Sequence, residues 1–262
     1  MNYEALLELA IQAAYTAGAD ILLVYNAGEI KVDFKSDNSP LTLADKQAHL
    51  TIVKYLESTN LPILSEEGRS IPYEERKNWE TFWMVDPLDG TKEFIQRNGE
   101  FTVNIALMQH NQPILGVVYA PVSGQMFFGG TALGYAAIEE DETTRRLTTI
   151  PRRNMQALQQ TKNTNVISSR FHQNQETTDF VQQFDEPRLV TMGSSLKFML
   201  LAQGNADVYP RFAPTMEWDT AASDAILRTL TSGIYQCNAA NEATIPLEYN
   251  KSSLLNPFFI AI

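Results

Sequence analysis

Apolar residues recur every three or four positions in several segments of the chain, and this spacing predicts amphipathic helices. The clearest pattern covers residues 3–25, which we expect to form a long first helix ending at residues 26–28. A second helix is expected over residues 42–56, with Thr42 as its N-cap and Asp45 in its first turn. Three more helices are predicted over residues 174–184, 196–202 and 217–230.

Short apolar or alternating runs predict strands. Residues 83–86 form an apolar run that ends at an acid, and because Pro87 has no N–H to donate to a sheet, we expect the strand to stop there. Residues 61–64 repeat the pattern and lead to Glu66 and Glu67. The other expected strands cover residues 30–34, 101–108, 114–119, 125–128, 131–139, 165–168, 188–191, 206–209 and 254–260.

The order of these elements divides the chain near residue 150. Before that point several strands follow one another without helices between them, which predicts an antiparallel meander with a hairpin tip at the acidic residues 139–142. After it, strands and helices are mixed. We therefore predict an N-terminal α+β unit over residues 1–150 and a C-terminal α/β unit over residues 151–262. Residues 69–78 are polar and are predicted to form an exposed loop.

Composition is typical of a globular protein and limits its partners. The chain has 262 residues, of which 44% are hydrophobic and 19% charged, which suits a sizeable core. A net charge of −11 gives no general attraction to nucleic acid or anionic membranes, so neither is an expected partner. The absence of a basic, cleavable start and of a membrane-length apolar run predicts a cytoplasmic protein.

The cysteine and histidine residues give no indication of a catalytic or metal-binding role. The single cysteine, Cys237, excludes an internal disulfide and a multi-cysteine zinc site, and we interpret it as a small core residue. The histidines His49, His110 and His172 are scattered without the spacing of metal ligands and are interpreted as ordinary.

The strongest chemical signal follows the apolar run at residues 83–85. Asp86 and Asp89 place two carboxylates at the end of a buried strand, where their mutual repulsion would be costly unless a divalent cation offsets it. Oxygen ligands, including the Leu88 carbonyl, favour Mg²⁺. Gly90 allows close approach of the backbone to a ligand, and a helix starting at Thr91 would favour an anion. The local alternative is Asp89 as an N-cap and Asp86 in a surface ion pair.

Three further segments carry candidate site residues, each with a plain alternative. Adjacent strand residues point to opposite faces, so only one of Glu66 and Glu67 can share a metal with Asp86, and the pair could instead lie in a solvated loop. Asp219 is either a helix cap or a ligand. The turn at residues 193–195, with Lys197 nearby, either binds an anion or caps the following helix.

Four separated segments together resemble one family. They are residues 37–45, residues 64–67, residues 83–94 with the core Asp-Pro-Leu-Asp-Gly-Thr, and residues 218–222. In this order they are similar to the motifs of the inositol monophosphatase superfamily of Mg²⁺-dependent, lithium-sensitive phosphatases. Residues 92–95, 98–106, 116–121, 193–198 and 209–212 resemble its bacterial 3'(2'),5'-bisphosphate nucleotidase branch.

The resemblance implies a fold, a cofactor and a set of site residues. The fold is an α+β protein built as a layered αβαβα sandwich, as in inositol monophosphatase and fructose-1,6-bisphosphatase. Two or three Mg²⁺ ions would be held by Glu66, Asp86, the Leu88 carbonyl, Asp89 and Asp219. Asp45 and Thr91 would act on the attacking water, which is carried by the metal at Glu66. The implied substrate-binding residues are Leu88, Asp89, Gly90, Thr91, Ser195, Lys197, Tyr209, Arg211 and Asp219.

The resemblance also implies an activity, with alternatives. The preferred reaction is hydrolysis of adenosine 3',5'-bisphosphate to AMP and phosphate, a step in sulfur metabolism, by a monomer or homodimer. A related alternative is an inositol or other sugar monophosphate as substrate. Alternatives of other classes are a catalytically silent metal- or nucleotide-binding module and a structural partner protein.

Overall fold

The computed structural model describes residues 1–27, 32–34, 40–150, 154–169, 174–238 and 243–262. Its helices are α1 Tyr3–Asn26, α2 Leu43–Leu56, α3 Tyr73–Arg76, α4 Thr91–Ile95, α5 Met155–Gln160, α6 Gln175–Val181, α7 Leu196–Ala202 and α8 Ala221–Thr229. Its strands in the first half are β1 Val32–Phe34, β2 Pro40–Thr42, β3 Ile63–Ser65, β4 Thr81–Asp89, β5 Thr102–Gln109, β6 Gln112–Ala120, β7 Gln125–Gly130, β8 Tyr135–Glu140 and β9 Thr143–Arg146. In the second half they are β10 Asn165–Ser169, β11 Arg188–Met192, β12 Tyr209–Arg211, β13 Ile234–Cys237, β14 Ala243–Pro246 and β15 Phe259–Ala261.

A seven-stranded sheet with the order β3-β4-β5-β6-β7-β8-β9 forms the centre of the molecule. Strands β4 to β9 are antiparallel neighbours in chain order, which confirms the predicted meander, and β3 pairs with β4 in parallel. Because side chains alternate along a strand, Trp83 and Val85 of β4 pack in a core that also contains residues of α1 and α2. Phe82 and Met84 of β4 pack on the other face of the sheet, in a core that also contains residues of α7 and α8.

The remaining strands form a second layer. Strands β12, β15, β13 and β14 make a four-stranded sheet in that order, and β10 and β11 form a parallel pair. A third apolar cluster joins Ile260 of this sheet to Leu158 of α5 and Phe180 of α6. The order of layers is therefore helices, large sheet, helices, small sheet, helices, and the predicted αβαβα sandwich is confirmed.

Helix α8 lies unusually close to the large sheet. A Cβ atom added to Gly116 of β6 would lie 2.0 Å from the carbonyl oxygen of Ala222 in α8. Only a glycine at this position allows the contact. The contact matters for the site because α8 follows directly on the turn that carries Asp219.

The strand end predicted at Pro87 is wrong, whereas the loop predicted at residues 69–78 is mostly exposed as expected but includes a short helix. The strand expected to stop at Pro87 continues to Asp89, with a register shift between Asp86 and Asp89 that lets the chain pass the proline without regular pairing. Residues 69–78, expected as an exposed loop, contain helix α3. Its Arg76 is 2% exposed and donates to Asn250 Oδ1 at 2.7 Å. That partner is 174 positions away and cannot be inferred from the local sequence.

Other elements begin or end at residues different from those predicted, and some were not predicted. The strand predicted at residues 206–209 lies at β12, and the one at residues 254–260 is only the short β15. The helix predicted from residue 217 begins as a 3₁₀ turn, Glu217–Asp219, before α8. Strands β2, β9, β13 and β14 and helix α5 were not predicted. Residues 38 and 39 of the predicted turn and residues 37–39 of the motif at residues 37–45 lie outside the described residues.

Helix α1 corrects the expectation about membrane-length segments. By length and composition it is apolar enough to cross a membrane, and it is the one such helix in the part of the chain that the structure describes. One side of it is buried, with Ala13, Ala14 and Ala17 fully inaccessible in the core shared with α2.

Candidate active site

A cavity of about 320 Å³ opens where β4 ends. Glu66, just after β3, reaches it, as do Asp86, Leu88 and Asp89 of β4, and Asp219 comes from the turn before α8. Three segments far apart in sequence thus bring together all five residues proposed as metal ligands. Also among its lining residues are Gly90, Thr91, Lys92, Glu93, Ser194, Ser195, Lys197, Phe198, Tyr209, Arg211, Met216 and Trp218.

Two of the carboxylates, Asp86 and Asp219, have a raised pKa. Asp86 is 2% exposed, and burial together with the charges of Glu66, Asp89 and Asp219 holds its pKa well above the usual range. Burial and the charges of Asp89 and Glu66 raise the pKa of Asp219 in the same way. Such a group of hard oxygen donors is stabilised when a divalent cation offsets the repulsion, so the residues present suit Mg²⁺.

Several of these carboxylates are already held by hydrogen bonds from the chain. Asp86 Oδ1 accepts from the Leu88 N–H at 3.0 Å, and Asp219 Oδ2 accepts from the Met216 N–H at 2.9 Å. Within the described ranges, no three Asp, Glu, His or Cys side chains are drawn together into a ready-made metal cluster. The donor set and its charge, rather than a preformed coordination shell, therefore support the metal interpretation.

Asp45 lies behind Thr91 and does not line the cavity. Its Oδ2 accepts hydrogen bonds from the Thr42 N–H at 2.7 Å and from Thr42 Oγ1 at 2.6 Å, which closes a capping box at the start of α2. Its Oδ1 accepts from Thr91 Oγ1 at 3.3 Å. The capping box and the contact with Thr91 coexist, because each uses a different oxygen of Asp45.

The local alternative for the two aspartates of β4 is wrong. Gly90, not Asp89, occupies the N-cap position of α4, and it adopts a φ of 93°. Asp86 is buried, so it cannot belong to a surface ion pair. The left-handed backbone at Gly90 turns the chain from β4 into α4 and leaves the backbone open to the cavity.

Two buried cations face the carboxylates. Lys197 is 8% and Arg211 9% exposed, and both line the cavity. Burial lowers the pKa of Lys197 to about 8, against the opposing effect of Asp89. Arg211 donates from Nη2 to the Pro214 carbonyl at 3.2 Å, while its buried Nε has no partner in the described structure. The Tyr209 ring lies 5.7 Å from Lys197 Nζ.

The turn at residues 193–195 does not cap α7, although capping was the favoured local alternative. No side-chain capping bond forms at Ser195. Instead Ser194 and Ser195 donate to Asp89 Oδ2. Ser194 was missed as a site residue, although the Gly-Ser-Ser pattern had marked the turn as a possible anion site.

Two acids near the motifs lie outside the cavity. Glu67 does not line it and acts electrostatically on His49. Glu217, next to Trp218 in the motif, is fully buried and pairs with Lys251 while accepting the Lys251 N–H at 3.1 Å. Its charge is thus matched by Lys251 and not directed at the carboxylates of the cavity.

Known proteins are similar to this chain in both sequence and fold. The model of the inositol monophosphatase family matches residues 2–252. The 3'(2'),5'-bisphosphate nucleotidase CysQ of Escherichia coli K12 is 42% identical over 258 residues, which cover 97% of this chain and 98% of that protein. The crystal structure of CysQ from Bacteroides thetaiotaomicron superposes with a TM-score of 0.83 at 43% identity, covering 99% and 97% of the two chains.

A more distant structure shares the fold. An inositol monophosphatase from Zymomonas mobilis gives a TM-score of 0.74 at 22% identity, covering 100% of this chain and 93% of the other. The resemblance of the four motifs and the match over nearly the whole sequence agree: the chain belongs to the inositol monophosphatase family.

Proposed function

We propose that this protein is a Mg²⁺-dependent phosphomonoesterase that hydrolyses adenosine 3',5'-bisphosphate to AMP and phosphate. The observation that carries the proposal is the convergence of Glu66, Asp86, Asp89 and Asp219 on one cavity that also holds two buried cations. The relatives at 42% identity are named for a 3'(2'),5'-bisphosphate nucleotidase activity, which supports the choice of substrate.

Metal ions would be held by these four carboxylates and by the Leu88 carbonyl. When bound, two or three Mg²⁺ ions neutralise the phosphate, lower the pKa of a coordinated water and stabilise the leaving oxygen. The buried, mutually repelling carboxylates supply the negative charge that such ions need.

Thr91 and Asp45 would handle the proton of the attacking water. Asp45 Oδ1 can only accept a hydrogen bond, so Thr91 Oγ1 directs its proton there and presents a lone pair to the water. As the water oxygen bonds to phosphorus, its proton passes to Thr91 Oγ1 and that of Thr91 to Asp45. The bond from phosphorus to the 3' oxygen breaks, and that oxygen takes a proton from solvent. The Gly90 and Thr91 backbone would bind the phosphate.

The other wall of the cavity would hold the nucleotide. Lys197 and Arg211 provide positive charge for the second phosphate, with an unpartnered Nε of Arg211 available as a donor. Tyr209 and Ser195 complete the proposed contacts. A substrate with one phosphate and a sugar ring would leave one of these buried cations without an anionic partner, which disfavours inositol monophosphate.

A side-by-side phosphate-release assay tests this function. Wild-type protein with Mg²⁺ should release phosphate from adenosine 3',5'-bisphosphate faster than from inositol 1-phosphate, and Asp89→Asn should release none. Faster turnover of the inositol phosphate would overturn the substrate assignment. Nucleotide binding without phosphate release would instead favour a silent binding module.

Lithium gives an independent check of the metal assignment. We expect millimolar Li⁺ to inhibit the enzyme by occupying a magnesium position, and the inhibition should weaken as Mg²⁺ is raised. The same concentration of Na⁺ is the control for ionic strength. Full activity in Li⁺ would count against a shared metal mechanism.

The proposal extends to the cellular location, the metabolic role and the oligomeric state of the enzyme. The site suits a small phosphorylated substrate, and the buried side of α1 argues for a core role rather than an integral membrane segment. We therefore place the enzyme in the cytoplasm, in sulfur metabolism, as a monomer or homodimer. Cell fractionation followed by sedimentation of the purified protein tests location and oligomeric state.

A further inference from the structure

Two hydroxyl groups hold the carboxylate of Asp89 from one side. Ser194 Oγ donates to Asp89 Oδ2 at 2.7 Å, and Ser195 Oγ lies 2.9 Å from the same oxygen. An ionised carboxylate only accepts hydrogen bonds, so the serine protons point towards it. With both donors on Oδ2, Oδ1 is the oxygen left to face a cation.

Two residues of β5 stand behind the serines. Thr102 Oγ1 lies 2.7 Å from Ser194 Oγ, and Asn104 Nδ2 donates to Ser195 Oγ at 2.9 Å. Each serine directs its single proton at Asp89, which leaves Ser195 Oγ free to accept from Asn104 Nδ2. Thr102 Oγ1 has one proton for two neighbours, Ser194 Oγ and, at 3.0 Å, Asn104 Oδ1. Chains of this kind polarise each bond towards the charged end and strengthen it.

The position of this network relative to the acids follows from the sheet register. Thr102 is the cross-strand partner of Asp89, and Asn104 is the partner of Asp86. Residues two apart on a strand share a face, so one face of β5 serves both acids. Ser195 Oγ also lies 3.0 Å from the Asp219 carbonyl oxygen. Since Ser195 has one proton, this carbonyl competes with Asp89 Oδ2 for it, and Ser195 lies between the segments that carry Asp89 and Asp219.

The network is buried and its turn is fixed. Exposed fractions lie between 0% and 7% for its four members, Thr102, Asn104, Ser194 and Ser195. The Gly193 N–H donates to Glu100 Oε2 at 2.8 Å, and a Cβ at Gly193 would lie 2.7 Å from the Glu100 carbonyl oxygen. Ser194 adopts a φ of 50°, an unfavourable backbone conformation for a residue with a side chain, which the surrounding contacts must offset.

We propose that this network, which we call the hydroxyl network, orients the Asp89 carboxylate and thereby tightens magnesium binding. Ser194 and Ser195 are then positioning residues, with Thr102 and Asn104 supporting them. The inference rests on the proposed function, because it takes Asp89 as a magnesium ligand. Hydrogen-bond partners of metal ligands typically change metal affinity by about 10–100-fold when removed.

Magnesium titration calorimetry on the substrate-free, EDTA-stripped protein tests the proposal without relying on turnover. The variants are Ser194→Ala, Ser195→Ala and the double variant. Each single change should raise the magnesium Kd by about tenfold, and the double change should raise it further. Ser223→Ala is the matched control, since Ser223 is 1% exposed and its hydroxyl has no partner in the described structure. Its Kd should equal that of the wild type.

Thermal unfolding in EDTA separates positioning from simple stabilisation. A double variant with the wild-type magnesium Kd overturns the proposal, whether or not its Tm falls. If the serine variants do not fold, Thr102→Val replaces them, because it removes a hydroxyl at nearly constant volume outside the cavity. An unchanged Kd in that variant also overturns the proposal. Absence of magnesium binding by the wild type would instead defeat the proposed function, and the inference with it.

Discussion

Thr91 and Asp45 are 46 positions apart in sequence and meet through one hydrogen bond of 3.3 Å. Local chemistry pointed to a cation only at Asp86 and Asp89, and the full set of site residues came from the resemblance to the family. The local sequence could not show which oxygen faces where. Ser194 was missed for this reason, since a serine in a turn is usually a cap and its bond to Asp89 spans 105 positions.

The first prediction concerns the Thr91 hydroxyl. Thr91→Val keeps the shape of the side chain but removes the group proposed to receive the water proton. We expect kcat to fall about 100-fold with KM little changed, because the loss is felt in the transition state. Thr91→Ser, which keeps the hydroxyl, should retain most activity. A Val variant with wild-type kcat in the phosphate-release assay would contradict the role of Thr91.

The second prediction concerns the single cysteine. Burial raises the pKa of Cys237 to about 12, so its reactive thiolate is scarce in the folded protein at pH 8. Alkylation should be at least about tenfold slower in the folded than in the unfolded protein, because the thiolate fraction falls by more than the nucleophilicity rises with the pKa. Its rate should rise with pH above 8. Mass spectrometry after timed iodoacetamide treatment, with and without denaturant, measures both rates. Equal rates would show that the thiol is not protected.

At the scale of elements, periodicity predicted the meander and the longer helices but missed the short helices α3 and α5 and failed at the ends of elements. Strand β4 illustrates why. A proline removes one hydrogen-bond donor, and the expectation was that pairing would end there, yet β5 accommodates it by a register shift and pairing resumes at Asp89. That shift places Asp86 and Asp89 opposite Asn104 and Thr102. The geometry of the site therefore depends on an irregularity that β4 alone does not encode.

The third prediction tests the contact between β6 and α8. Gly116→Ala would push a Cβ into the Ala222 carbonyl, so we expect a loss of about 3 kcal/mol in the free energy of unfolding. Urea denaturation measures this loss. Gly124→Ala is the control: its Cβ would meet open space, and a φ of 74° makes it cost only about 1 kcal/mol. Equal costs for the two variants would mean that the close packing is not rigid.

At the scale of the whole molecule, the boundary near residue 150 stays a prediction. One apolar core nevertheless contains residues from both sides of it, among them Phe82 and Val118 from the large sheet and Ile226 and Leu227 from α8. A boundary drawn from the order of elements cannot reveal a shared core, because the order says nothing about which faces meet.

The fourth prediction follows from that shared core. Residues 1–150 expressed alone should lack a stable fold, since one face of the large sheet loses its apolar cover. The full chain should unfold in a single calorimetric transition. Circular dichroism and size-exclusion chromatography of the fragment, with co-expressed residues 151–262 as the control, provide the measurement. A monomeric fragment with a cooperative melt would establish independent domains.

The sequence by itself determined the family, the layered α+β architecture and the residue types of the cavity, because periodicity and short motifs are local properties. Only the tertiary structure decided that Asp45 sits behind Thr91, that Glu217 is matched by Lys251, and that two serines hold Asp89. These contacts join segments separated by tens of residues. Their distances are set by how sheets and helices pack, which no single stretch of sequence specifies.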